Sequence, residues 1–69
     1  MKDQVFKKLE LTGTSSKSYE DAINNALAKA AKTVRDMRWF EITEQRGAID
    51  KDRVSQWQVT IKIGFVVEE

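Results

Sequence analysis

Trp39 and Gln58 have the makings of a binding site in this 69-residue chain. Trp39 opens the stretch Trp39-Phe40-Glu41-Ile42-Thr43-Glu44-Gln45-Arg46-Gly47, whose period of two describes a strand. Strict alternation sends Phe40 and Ile42 to one face and Trp39, Glu41, Thr43 and Gln45 to the other. A large aromatic among polar neighbours either meets a flat ligand or is covered by another subunit, because apolar surface of that size left in water forfeits its burial energy. An indole face suits a flat heterocycle. A nearby carboxamide such as Gln58 pairs with a donor-acceptor edge through its oxygen and its amide hydrogens at once. The chemistry indicated is stacking and edge pairing.

Catalytic chemistry is poorly provided for. The sequence contains no cysteine and no histidine, which removes disulfides, thiolate nucleophiles, imidazole bases and the usual zinc ligands. Acid-base work would fall to carboxylates, and alternation puts Glu41 and Glu44 on opposite strand faces. Asp50 and Asp52 lack the glycine and terminal glutamate of a twelve-residue calcium loop. Twelve basic and eleven acidic side chains, well mixed, leave a net charge of +1 and no strong field to draw nucleic acid or an anionic membrane. Met1-Lys2-Asp3-Gln4 lead into a polar strand without an apolar signal region, and no apolar run approaches a membrane span. The expectation is a soluble cytoplasmic protein that is not an enzyme.

The elements that must position these residues follow from periodicity. Val5 to Thr12 reads as a first strand, with Val5, Leu9 and Leu11 on one face, Lys8, Glu10 and Thr12 on the other, and Phe6 and Lys7 breaking the pattern. Gly13-Thr14-Ser15-Ser16 supplies turn residues, and Ser18 with Asp21 has capping-box spacing for a helix start. Ala22, Ile23, Ala26, Leu27, Ala30, Ala31 and Val34 form an alanine-rich helical stripe suited to close packing on a sheet. After the central stretch, residues 48–53 form a polar connection without the Asn-Gly or Asp-Gly pair of tight hairpins, so a loop longer than two residues is expected. Val54 to Val67 is the longest strand, with Trp57, Val59, Ile61, Ile63, Phe65 and Val67 on its apolar face and Gln56, Gln58, Thr60 and Lys62 on the other.

Strand, helix, strand, strand gives an α+β fold, one β-α-β-β unit over residues 1–69. Its three-stranded antiparallel/mixed sheet has the order 1-3-2, with one helix on one face. A single helix covers one face only, so the face carrying Trp39 is an interface, a ligand site or both. A chain this short commonly gains stability by oligomerising, and the apolar surface at Phe6 and Trp57 points to a closed symmetric assembly.

Across nearly its whole length the sequence resembles the dodecins, a family of very small flavin-binding proteins. The motifs are Leu11-Thr12-Gly13-Thr14-Ser15, Ser18-Tyr19-Glu20-Asp21-Ala22, Trp39-Phe40-Glu41-Ile42-Thr43-Glu44, Arg46-Gly47 and Gln58-Val59-Thr60-Ile61-Lys62-Ile63-Gly64-Phe65. The resemblance implies a hollow homododecamer in which flavins stack between tryptophans of neighbouring subunits, bound without turnover. FMN is the first candidate, riboflavin and lumichrome the others, with coenzyme A as a further ligand. Trp39 matches the stacking tryptophan and Gln58 the glutamine at the flavin's pyrimidine edge. Arg46 matches an arginine near the flavin side chain or phosphate, and Gln45 is a further candidate on the Trp39 face. By strict alternation Arg46 points away from Trp39 and needs a bulge or a neighbouring subunit to reach the same ligand. Val66 stands where many bacterial-type members carry a basic residue, which weakens phosphate recognition. The alternative is a flavin-free oligomer with Trp39 as an interface anchor.

Overall fold

The computed structural model describes residues 3–67. It contains β1 (Phe6–Ser15), α1 (Tyr19–Ala30), β2 (Met37–Asp50) and β3 (Arg53–Val66). The sheet order is β1-β3-β2, and both outer strands run antiparallel to β3. They are therefore parallel to each other without pairing, as a helix crossover followed by a hairpin requires.

Packing explains why the helical stripe is built of alanine. Ala22, Ala26 and Ala30 are buried against Val59, Ile61 and Ile63 of β3, and Leu11, Tyr19, Ile23, Leu27, Val34 and Met37 close the edges of this core. At Gly13 a Cβ would run into the Ala22 carbonyl and come within 2.9 Å of Ala26 Cβ, so the helix rests directly on the β1 backbone. Ser18 caps α1, its hydroxyl accepting from the Asp21 amide at 3.0 Å. The Asp21 carboxylate in turn accepts from the buried Ser15 hydroxyl at 2.7 Å. Sheet end and helix start are thereby tied together.

Several element bounds differ from the sequence reading. β1 continues through Gly13-Thr14-Ser15 because Thr14 pairs with Gln58 and Ser15 with Trp57, so the tight turn is left to residues 16–18. The apolar stripe runs on to Val34, yet α1 ends at Ala30. Residues 31–33 form a turn with Lys32 N–H on the Lys29 carbonyl at 3.2 Å and Thr33 N–H on that of Ala30 at 3.0 Å. Val34 still packs on the core, which is why the stripe outlives the helix. The hairpin loop is two residues long, with Asp50 pairing Arg53 across Lys51-Asp52. Both turn residues have positive φ, 52° and 65°, the geometry that matches strand twist. Trp57 is half-buried edge-on against Tyr19, at 4.9 Å between centroids, and contributes no open apolar patch.

The helix lies over β1 and β3. β2 is left bare on the helix side, where Phe40 is 44% and Ile42 48% exposed. Beyond the Ser15–Trp57 pair the β2–β3 hairpin runs on without β1, and Ile49 and Val54 near its tip are exposed. The molecule is drawn out to 53 × 20 × 15 Å as a result.

Gly13→Ala should lower stability by about 1–3 kcal/mol, the usual cost of overpacking a close backbone contact. Denaturant unfolding checks this, and an unchanged midpoint would show that the helix does not rest on β1 there.

Candidate ligand-binding face

Trp39 is held on the outer face by the residue beneath it. β2 places Trp39 opposite Gly64 of β3, and the six-membered ring of the indole occupies the space that a Cβ at Gly64 would need. The indole thus lies across the middle strand. Its edge meets Phe6 of β1, with centroids 5.0 Å apart and rings inclined at 68°. Phe6 breaks the β1 pattern because it supports Trp39. With 39% of its surface open, the indole is a braced aromatic platform.

Below the platform the face is polar and cross-linked. Lys8 of β1 reaches over β3 to Glu41 of β2, with Nζ 2.9 Å from Oε1. The Lys8 ammonium, first by this hydrogen bond and then by its charge, holds the Glu41 carboxyl below the usual carboxylate range, with the charge of Lys62 adding to the effect. A lowered carboxyl favours the folded state above its unfolded pKa and loses that contribution as pH falls through the folded one. Both partners are half-exposed, so the pair is a weak stabiliser.

A β-bulge decides what lies further down. Ile42 pairs with Ile61 and Glu44 with Thr60, leaving Thr43 as the extra residue. Thr43 keeps the outward side expected of it, its hydroxyl within 3.2 Å of both Glu10 Oε2 and the Thr60 carbonyl. From Glu44 onward the sides exchange. Arg46 falls opposite Gln58 on the Trp39 face, and Gln45 falls opposite Val59 on the helix side, the reverse of strict alternation for both. Glu44 likewise shares the face of Glu41. The two carboxylates are still not a catalytic pair, since Glu41 is held by Lys8 and Glu44 Oε2 lies 3.4 Å from Arg46 Nη1.

Arg46 Nε donates to Gln58 Oε1 at 2.6 Å, and Gln58 Nε2 donates to Gln56 Oε1 at 2.8 Å. Arg46 and Gln58 are therefore brought together. Trp39 is not brought to them: its partner Gly64 lies six residues along β3 from Gln58. At roughly 3.4 Å per residue that is about 20 Å, further than one tricyclic ring system spans. Among the described residues no three His, Cys, Asp or Glu side chains gather as metal ligands, and no helix is long and apolar enough to cross a membrane.

Residues 5–68 match the family model for dodecin. The chain belongs to the dodecin family. Dodecin from Thermus thermophilus is 48% identical over 66 residues, covering 96% of each chain. The structure of dodecin from Streptomyces coelicolor superposes with a TM-score of 0.95 at 39% identity, over 100% of this chain and 99% of that one. Calcium dodecin from Mycobacterium tuberculosis is 30% identical over 61 residues, covering 88% of this chain and 86% of the relative. Dodecins are small oligomeric proteins of binding and storage, not a family of enzymes, and flavin binding is known for dodecins in general. The strand order 1-3-2 with one helix on a sheet face is the fold of dodecin structures.

Sequence reading placed Gln56 on this face beside Gln58 but did not single out Gly64 or Phe6 as the support of Trp39. A signal was present for Gly64, because a glycine inside an otherwise regular strand marks a close approach. Gly64→Ala should push the indole off the strand. The nuclear Overhauser contacts between the Phe6 and Trp39 rings should then vanish while those among Val59, Ile61 and Ile63 persist. Retained Phe6–Trp39 contacts would show that the indole does not rest on Gly64.

Proposed function

We propose that this dodecin binds and stores flavin without turning it over, in the cytoplasm, as a homododecamer of single-domain subunits. The ligand is FMN, riboflavin or lumichrome, its ring system stacked on Trp39 and its pyrimidine edge paired with Gln58. The observation that carries the proposal is the indole laid flat over Gly64 and braced by Phe6, with one side open. Such a surface gains most from a large flat partner.

The separation of about 20 Å between the Trp39 and Gln58 positions on one chain means that one flavin meets both only where two subunits adjoin. The apolar surface at Phe40, Ile42 and Val54, bare in one chain, supplies reason for copies to adjoin. Contact also gives storage a photochemical sense. An electron-rich indole against an excited isoalloxazine transfers an electron to it, and the electron returns before the flavin reacts elsewhere.

Arg46 stands on the face of Gln58 as a further ligand-side residue, while Gln45 on the helix side reaches a flavin only if a neighbouring subunit presents one there. Coenzyme A remains a secondary candidate for the assembled shell. The calcium in the name of the M. tuberculosis relative forms no part of the proposal, since the described carboxylates of one chain do not converge.

Titration of riboflavin with the protein, followed by flavin fluorescence, tests this reading. The parent should quench the fluorescence, and Trp39→Ala should weaken binding by about 1–3 kcal/mol, the scale of stacking on one aromatic face, with the oligomer intact. Gln58→Ala should weaken it by about 1–2 kcal/mol, the loss of a hydrogen-bond pair, with quenching of bound flavin retained. Collapse of the apo oligomer in Trp39→Ala would identify the indole as an interface anchor instead.

A further inference from the structure

Arg46 holds the side chain that reads the ligand. A guanidinium has donors only, so the Gln58 atom facing Arg46 Nε at 2.6 Å has to be the carboxamide oxygen. That fixes the sense of the amide: Nε2 points the other way and donates to Gln56 Oε1 at 2.8 Å. After these two bonds Gln58 keeps one oxygen lone pair and one amide hydrogen, which is the pairing edge it offers.

Arg46 is itself held in place. Its Nη1 meets Glu44 Oε2 at 3.4 Å, Glu44 Oε1 accepts from Thr60 Oγ1 at 3.4 Å, and Thr60 Oγ1 lies 2.7 Å from Thr12 Oγ1. Two chains meet at the Glu44 carboxylate: one donates from Thr12 through Thr60 to Glu44, and Arg46 donates both to Glu44 and, in a second chain, through Gln58 to Gln56. Chains with a consistent direction polarise one another in the same sense. The bonds of Glu44 and Arg46 depend on the Thr43 bulge, which turns both residues outward.

We infer that Arg46 is a positioning residue for Gln58, setting which end of its carboxamide accepts and which donates, and so the sense in which the site reads an imide edge. The inference rests on the flavin proposal above. It assigns Arg46 a role independent of any phosphate or side chain on the ligand. Lumiflavin, which carries the ring system and neither of those groups, is therefore the probe.

Each replacement of Arg46 has its own expected outcome with lumiflavin. Arg46→Lys keeps a donor and should bind as the parent does. Arg46→Met frees the amide to take two senses, and a choice between two orientations lowers affinity by only about twofold. Arg46→Glu puts an acceptor against Gln58, inverts the amide through a charge-assisted bond, and should lower affinity by about tenfold or more. Size-exclusion elution of each variant as the parent oligomer shows that the change is local. The deciding arm repeats Arg46→Glu in a Gln58→Ala background, where it should cost nothing further. An equal loss there, or no loss in Arg46→Glu alone, overturns the inference while leaving flavin binding standing. A parent protein that does not bind lumiflavin overturns both.

Discussion

A helix of twelve residues is about 18 Å long and the outer strand β2, with fourteen, about 48 Å, so one cannot roof the other. Most features of the molecule descend from that mismatch. The helix settles where contact is closest, on Gly13 of β1 and the valine and isoleucines of β3, and its alanines make that approach tight. β2 is left with apolar side chains on the helix side and an indole on the other, which a free monomer would have to hold in water. Among the described residues, a core of six buried apolar side chains, three of them alanine, is small for a chain that keeps so much apolar surface open. Association of copies, as proposed above, would supply the missing burial, in keeping with the oligomeric habit of dodecins.

The same economy shapes the outer face. With no room for a second layer, aromatic area is gathered into one platform by letting Trp39 lie over a glycine and lean on Phe6. Polar side chains then tie the three strands together across that face, Lys8 to Glu41 at one level and Thr12, Thr60 and Glu44 at another. None is a strong stabiliser alone, being exposed. Together they orient groups, and orientation is what a site for a flat, edge-patterned ligand needs. The indole and the Gln58 carboxamide sit far apart on one chain, so on the proposed reading the subunit contributes half of two sites rather than the whole of one.

How much was legible in the sequence depends on the regularity of each strand. β3 alternates without interruption from Trp57 to Phe65, and the core residues Val59, Ile61 and Ile63 follow directly from it. β2 was legible only as far as Thr43. A bulge adds one residue without disturbing composition, so period-two reasoning carried Gln45 to the ligand face and Arg46 away from it, whereas pairing with β3 does the opposite. The need for a bulge at Arg46 was visible; its place at Thr43 was not. The hairpin misled for a related reason. Lys51-Asp52 carries no glycine or asparagine, yet pairing along both long strands imposes left-handed backbone on both residues, one of them an aspartate that tolerates it well. Gly64 was seen as part of a motif, and its purpose emerged only once the indole was found above it.

The central claim is that surface left bare on one chain is closed by other copies, and that the flavin lies where they meet. Native mass spectrometry of the protein with riboflavin tests it most directly. The account predicts a single assembly of twelve chains that retains flavin, with none on any dissociated subunit. A stable monomer of 7.9 kDa carrying riboflavin would contradict it.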